Sequence, residues 1–465
     1  MTRAASRCRF RPYNGPAILP VRRILIVTPH PNDIDAALDQ ATARIDIPRT
    51  FSFRFDLHET WIGPDRRTPL TAVFLVDTDS VQGFVTDRPL DSPEPHHFDA
   101  TAKRCNAAIF RLEQPLRLAP TAVAKPWGFE HWYTGIEARG VSDVTDGRHT
   151  TPLSWVLASA PRHLCGDAPI ALLKVLDPAP NAVLGDLYFE LHETKEEFYV
   201  VTRVDRRAWP EGRGAIRFGM NAALRASYRD DKRFRTDYAA AVARYEEIRR
   251  AIDRLLDAKR LAAGFDLDAA VPVDVMQRWT EEVDPALVDE ERKRRRAMEA
   301  FTQMRSLGEG DIVQLPRLLP HALQHGVRVI ELQTPTYERR IVSFAQKVLT
   351  QNHWDTQTAV DAMRLDSPPP APPRVLIREP DCTVERIVEF DGFAARRITL
   401  APGAQLTIAR DLRYAICVGV AGEVTLGDAT LASEDACLVP QSATRRTLVN
   451  AGTRSCVCVL CGPEL

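Results

Sequence analysis

Gly185–Val201 reads GDLYFELHETKEEFYVV. Tyr188, Phe189 and Leu191 favour extended backbone, as do Phe198, Tyr199, Val200 and Val201. With a polar run between them, the stretch is expected to form one β-hairpin. Side chains two apart on a strand share a face, which aims Glu190 and His192 the same way. Glu197 opens the returning strand and can meet them across the turn. A carboxylate, an imidazole and a second carboxylate brought together are three of the four ligands of a catalytic divalent metal. Taken alone, the same residues also suit a solvated hairpin tip.

Outward from this stretch the texture is mainly β. Ile170–Asp177 (IALLKVLD) is a nearly unbroken apolar strand whose one polar member, Lys174, either snorkels at an edge or faces a polar cavity. Ala124–Tyr133 (AKPWGFEHWY) is an aromatic-rich turn into a strand, and 152–164 is expected to be helical, ending near Cys165-Gly166. After the stretch, Phe234, Tyr238, Val242, Tyr245, Ile248, Ile252 and Leu255 recur at helical spacing. A second helical run is expected over about 273–304, kinked or interrupted near Pro285. Its EERKRRR segment is flanked by acids and reads as a solvated face. β structure returns at Gly308 with Ile312–Leu315 and the strongly β run Val327–Gln333. His321 precedes that run, and His325, in a turn, is expected to be exposed. SPPPAPP (367–373) is a stiff linker. The short strands and turns of 374–465 suggest a jelly roll or sandwich. Residues 1–115 read as a small α+β or strand-rich extension of unassigned role, with strands at 23–27, 72–76 and 107–112 and a helix at 33–45. His96 and His97 lie there in a Pro-rich loop without a third partner.

The 465 residues allow two to four domains. Hydrophobic content of 45% and charged content of 26% are those of a soluble globular protein. A net charge of -1 gives no electrostatic case for nucleic acid or membrane partners. No apolar run approaches the roughly 18 residues of a membrane helix, and no secretory leader is recognisable. The nine cysteines, an odd number, read as reduced thiols of a cytoplasmic protein. The one CxxC spacing, Cys458 and Cys461, lacks a second pair or a nearby histidine, and together with Cys456 it reads as packing.

Several motifs, in order, make the chain similar to a cupin, and specifically to type I mannose-6-phosphate isomerase. Trp127-Gly128 resembles that family's early Trp-Gly turn, and Pro169–Asp177 its lysine-bearing strand. FELH (189–192) stands where the family has a Gln-x-His ligand pair, and Lys195–Glu197 where it has Lys-x-Glu. GDIVQLPRLLPHAL (310–323) resembles its second cupin motif, ending in a ligand histidine, and QTPTYERR (333–340) the segment with its catalytic arginine. The resemblance covers about residues 116–465 and leaves 1–115 uncovered. Glu190 replaces the first ligand glutamine, GDLY is inserted before the ligand pair, and Leu318 stands where the family's Pro-x-Gly, begun here at Pro316, has glycine.

The resemblance implies mainly β cupin (jelly-roll) barrels: a catalytic cupin domain over 116–366, a helical insertion at about 230–305 and a C-terminal jelly roll over 374–465. It implies a divalent metal, Zn2+ or another such as Mn2+, on Glu190, His192, Glu197 and His321. It also implies catalytic roles for Arg339, with Arg340 as the second choice, and for Lys195 and Lys174 in proton transfer or phosphate contact. A lysine with a pKa lowered by desolvation would suit a base. The activity implied is aldose–ketose isomerisation of a hexose phosphate, mannose 6-phosphate to fructose 6-phosphate first among them. The alternative is a cupin that binds a sugar or sugar nucleotide without isomerising it.

Overall fold

The computed structural model describes residues 25–28, 34–43, 49–78, 80–90, 97–166, 168–369 and 371–465. The strands around the candidate site are β1 (Thr121–Lys125), β2 (Gly128–Trp132), β3 (Leu172–Pro178), β4 (Phe189–Leu191), β5 (Glu197–Val204) and β6 (Gly214–Met220). They continue with β7 (Thr302–Leu307), β8 (Ile312–Leu315), β9 (His321–Leu323), β10 (Val327–Gln333) and β11 (Arg340–Ser343). One antiparallel sheet has the order β8-β5-β10-β3-β2-β1 and a second β7-β6-β9-β4-β11. Leu176, Tyr199, Val201 and Val329 from the first sheet share one core with Phe189, Leu191, Ile216 and Ile341 from the second.

The expected hairpin is not formed. β4 pairs with β9 and β11, whereas β5 pairs with β8 and β10, so the two strands lie in different sheets. The chain from His192 to Glu196 crosses between them. Its amides are satisfied by a distant carboxylate in place of a cross-strand ladder: Glu338 Oε2 accepts from the N–H groups of Glu193 and Thr194 at 2.9 and 3.0 Å. That solution lets Phe189 and Leu191 enter the core from one side and Tyr199 and Val201 from the other.

The central strands β3, β5 and β10 are buried on both faces, which accounts for their continuous apolar runs. Leu173, Val175, Phe198, Val200, Ile330 and Leu332 pack outward onto a core shared with Phe53, Phe74, Ile416 and Leu438. Lys174, between Leu173 and Val175, therefore points to the inner face, and Glu331 and Gln333 do so on β10 by the same alternation.

Between β6 and β7 lie helices α1 (Asp231–Ala262), α2 (Val273–Glu281) and α3 (Pro285–Glu299). Asp230 caps α1, its carboxylate accepting from the Arg233 N–H at 2.8 Å. Pro285 does not kink a helix; it begins one, where its missing N–H costs nothing. Strand structure resumes at Thr302, so Met304 is extended. In the basic run, Arg294 and Arg295 pair with Glu290 and Glu291 one turn back. Glu291 is buried and also accepts from Tyr245 Oη at 3.0 Å, so this face is only partly solvated.

Segment 152–164 is two helices, Leu153–Ser159 and Pro161–Cys165, broken before the proline. At the N-terminal end, strands 25–28, 49–58, 67–77, 80–86 and 110–111 form one sheet, beside helices Ile34–Thr42 and Phe98–Cys105. His96 lies outside the described residues. In the C-terminal part, strands from 374 onward supply six strands of a nine-stranded sheet and all of a four-stranded sheet, over a shared core. Leu116–Ala119, Asp143–Thr145 and Thr150–Pro152 join that nine-stranded sheet, through pairing of Leu116–Ala119 with Ala436–Val439, and not the sheets around the site. The eight cysteines among the described residues are free and buried.

Candidate metal centre and cavity

Three acceptor atoms converge at one point. Glu197 Oε1 lies 3.1 Å from His192 Nε2 and 3.0 Å from His321 Nε2. All three residues are buried, and their ligand atoms lie within 4.8 Å of one another. The other ring nitrogens set the tautomers: Nδ1 of His192 donates to the Glu338 carbonyl at 2.8 Å, and Nδ1 of His321 to the Leu319 carbonyl at 3.0 Å. With Nδ1 protonated in each neutral ring, Nε2 offers a lone pair to the point where Glu197 offers another. His192 Nε2 and Glu197 Oε1 are buried without a hydrogen bond. Burial, then Lys195, lowers the pKa of His192 and so favours the neutral ring. Burial would raise Glu197, but Lys195 and His192 outweigh it and hold the carboxyl well below its usual range. Facing lone pairs of this kind repel unless a cation sits among them, so the donor set fits a divalent metal.

Glu190 stands next to this trio. Its Oε1 is 4.0 Å from His192 Nε2, and its Oε2 is 3.5 Å from Arg339 Nη1 and lacks a hydrogen bond. Beside the centre lies a cavity of about 460 Å3 lined by Lys174, Tyr188, Glu190, Lys195, Glu331 and Arg339 among others. Lys195 Nζ is 2.6 Å from Glu197 Oε2, and Lys174 Nζ is 3.5 Å from Glu331 Oε2 and donates to Gln333 Oε1 at 3.0 Å. Arg339 lies over the Tyr188 ring at 4.5 Å and donates to Thr350 Oγ1. Arg340 points elsewhere, to Glu193 at the surface.

Burial opposes the charge on Lys174, but Glu331 and Glu130 outweigh it and its pKa is raised. Burial pushes Glu331 up to about 8, against the pull of Lys174. A carboxyl raised toward this range suits an acid–base group.

The sequence reading named every member of the trio, together with Glu190, Lys174, Lys195 and Arg339, and all of them meet in this one region. It missed Glu331, Gln333, Glu130 and Lys125. The signal was available for the first two, polar residues at a spacing of two inside an apolar strand. Glu130 accepts from Trp132 Nε1 at 2.7 Å and pairs with Lys125 Nζ at 3.2 Å on the cavity wall. His325 is not exposed: its Nδ1 meets Asp186 Oδ1 at 2.7 Å and its ring stacks on Trp209.

Fold and site together define a mainly β, cupin-like protein with a buried His-Glu-His cluster. No protein-family model and no curated protein sequence matches the chain. Among solved structures it is similar to mannose 6-phosphate isomerase from Bacillus subtilis, at 15% identity and a TM-score of 0.50 over 75% of this chain and 99% of that one. It is similar also to a zinc-bound mannose 6-phosphate isomerase, at 15% identity and a TM-score of 0.51 over 76% of this chain and 100% of that one. The apo form of the enzyme from Salmonella typhimurium matches at 14% identity and a TM-score of 0.50. At such identities the likeness is one of fold. Among the described residues, no helix is long and apolar enough to cross a membrane.

Proposed function

We propose that this protein is a metal-dependent aldose–ketose isomerase acting on a hexose phosphate, with mannose 6-phosphate and fructose 6-phosphate as the first pair to test. The carrying observation is the convergence of His192, Glu197 and His321 on one point, next to a cavity lined by Lys174, Lys195, Glu331 and Arg339 and joined to it through Lys195, 2.6 Å from Glu197. His192, Glu197 and His321, with Glu190 as the fourth, would hold the metal, zinc or another divalent ion such as manganese. Bound there, the ion would supply a Lewis acid for the sugar oxygens.

The remaining work falls to the chain. Isomerisation moves a proton from C2 to C1 through an enediol, which needs a proton acceptor near neutral pH and positive charge beside the developing oxyanion. Glu331 is matched to the first task by its raised pKa. Lys174 and Lys195 hold it from either side, with Nζ atoms 3.5 and 3.9 Å away. Arg339, fixed between Glu190, Tyr188 and Thr350, would place a guanidinium against the enediolate oxygen. The cytoplasm, where sugar phosphates are found, is the compartment this reading implies.

The test is an isomerase assay on purified protein supplied with zinc or manganese, across a panel of hexose phosphates. Turnover on one of them supports the reading. Sugar binding without turnover on any would favour the alternative of a sugar or sugar-nucleotide binding protein.

A further inference from the structure

His192 and Glu197, two members of the trio, stand at the two ends of the crossing from β4 to β5, so the backbone of 193–196 sets the distance between them. Because β4 and β5 lie in different sheets, the crossing has no shared ladder to supply acceptors for its N–H groups. One loop, 334–338 between β10 and β11, supplies them. Glu338 Oε2 accepts from the N–H of Glu193 at 2.9 Å and of Thr194 at 3.0 Å. The Lys195 N–H stands farther from it, at 3.4 Å, and Thr194 Oγ1 at 3.3 Å. Thr334 takes the last amide: its Oγ1 accepts from the Glu196 N–H at 3.2 Å, and its own N–H donates to the Glu196 carbonyl at 2.9 Å.

Glu338 reaches the centre by a second route. Its carbonyl accepts from His192 Nδ1 at 2.8 Å, which turns Nε2 toward Glu197. Successive amides turned to one side make an anion-binding concavity, and here a carboxylate of the same chain fills it. Hydrogen bonds to an ionised acceptor are about twice as strong as neutral ones. Glu338 Oε1 is buried without a hydrogen bond, so the hold on the crossing runs through Oε2.

We propose that Glu338 is a positioning residue for the metal centre, its carboxylate fixing the crossing that spaces His192 from Glu197 and its carbonyl fixing the His192 ring. The proposal rests on the reading of His192, Glu197 and His321 as metal ligands. Substitution of Glu338 leaves its carbonyl in place, so variants isolate the carboxylate.

Two measurements on the full chain test this: zinc affinity by competition with a chromophoric chelator, and backbone hydrogen exchange of the metal-free protein. Glu338→Ala should weaken zinc by about 10–100-fold, the usual cost of losing an outer partner of a metal ligand. It should also speed exchange across 193–196 by about tenfold or more, with a smaller change across β10, which marks the effect as local. Glu338→Met keeps the length and the packing but offers no strong acceptor; it should match Glu338→Ala, and it carries the test if the alanine variant does not fold. Glu338→Gln, whose amide oxygen can accept the same bonds, should recover most of the loss in both measurements. Wild-type zinc affinity in the alanine or methionine variant, unchanged exchange across 193–196, or a glutamine variant as impaired as the methionine one would each overturn the proposal. If the wild-type chain takes up no zinc, the metal reading of the trio falls, and exchange across 193–196 alone decides for or against Glu338 as the anchor of the crossing.

Discussion

Glu190 lies directly opposite His321 in the antiparallel ladder between β4 and β9. The register brings this carboxylate next to His321, on adjacent strands of one sheet. With glutamine as fourth ligand, one carboxylate and two neutral imidazoles would leave a divalent centre at net +1. Glu190, if ionised, cancels that charge and weakens the metal as a Lewis acid. Glu190→Gln should bind zinc less tightly yet keep or raise turnover per bound metal, and Glu190→Ala should lose the metal. Metal content after dialysis, measured for both variants, checks this; wild-type affinity in Glu190→Ala would remove Glu190 from the centre.

The two neighbouring arginines should separate cleanly. Arg339 lines the cavity at 13% side-chain exposure, whereas Arg340 is 41% exposed and paired with Glu193. Arg339→Gln is expected to lower kcat by about 10²–10³, the usual cost of removing one oxyanion donor, with a smaller change in KM. Arg340→Gln should change kcat less than about threefold, as expected for a surface ion pair. Equal losses in the two variants would mean that Arg339 has no special role.

Glu130 provides a pH test away from the metal ligands. Burial raises its pKa, but Lys125 and Lys174 outweigh burial and hold it at about 2. The folded value lies below the unfolded one of about 4.3, so the ionised group adds stability above that pH. The contribution is lost as pH falls from there toward 2. Urea unfolding midpoints between about pH 6 and 3 should fall more steeply for wild type than for Glu130→Gln. Parallel curves would show that the carboxylate is not held in this way.

Leu318 adopts φ 65°, the left-handed region that favours glycine. The backbone shape survives because it is tied at both ends: the Leu318 N–H donates to the His192 carbonyl at 2.7 Å, and its carbonyl accepts from Arg364 at 2.8 Å. A side chain in this conformation costs about 1–2 kcal/mol. Leu318→Gly should therefore be more stable than Leu318→Ala by about 1 kcal/mol, the reverse of the usual order at ordinary backbone angles. Chemical denaturation of the pair gives the answer directly, and alanine proving the more stable would refute the strain.

Local chemistry already carried much of this in the linear chain. The spacing of two in Glu190-x-His192 and Lys195-x-Glu197 marked candidate ligands. The apolar run around Lys174 marked a strand, and the helical spacing from Phe234 to Ile252 marked the insertion. These patterns depend on which face of its own element a side chain occupies, and neighbours within a few residues set that. Strand partnership does not work this way. β4 and β5 looked like a hairpin because they are adjacent and separated by a polar run, yet each has a better partner far along the chain, and Glu338 satisfies the crossing between them. Likewise Leu116–Ala119 belongs to the C-terminal sheet through Ala436–Val439. The lysine–glutamate pairs follow the same rule: Lys174 opposite Glu331 is a matter of register between β3 and β10. An extended strand offers the same hydrogen-bonding edge to any partner. Burial of both sheets in common cores selects among them, and that selection exists only once the whole chain has folded.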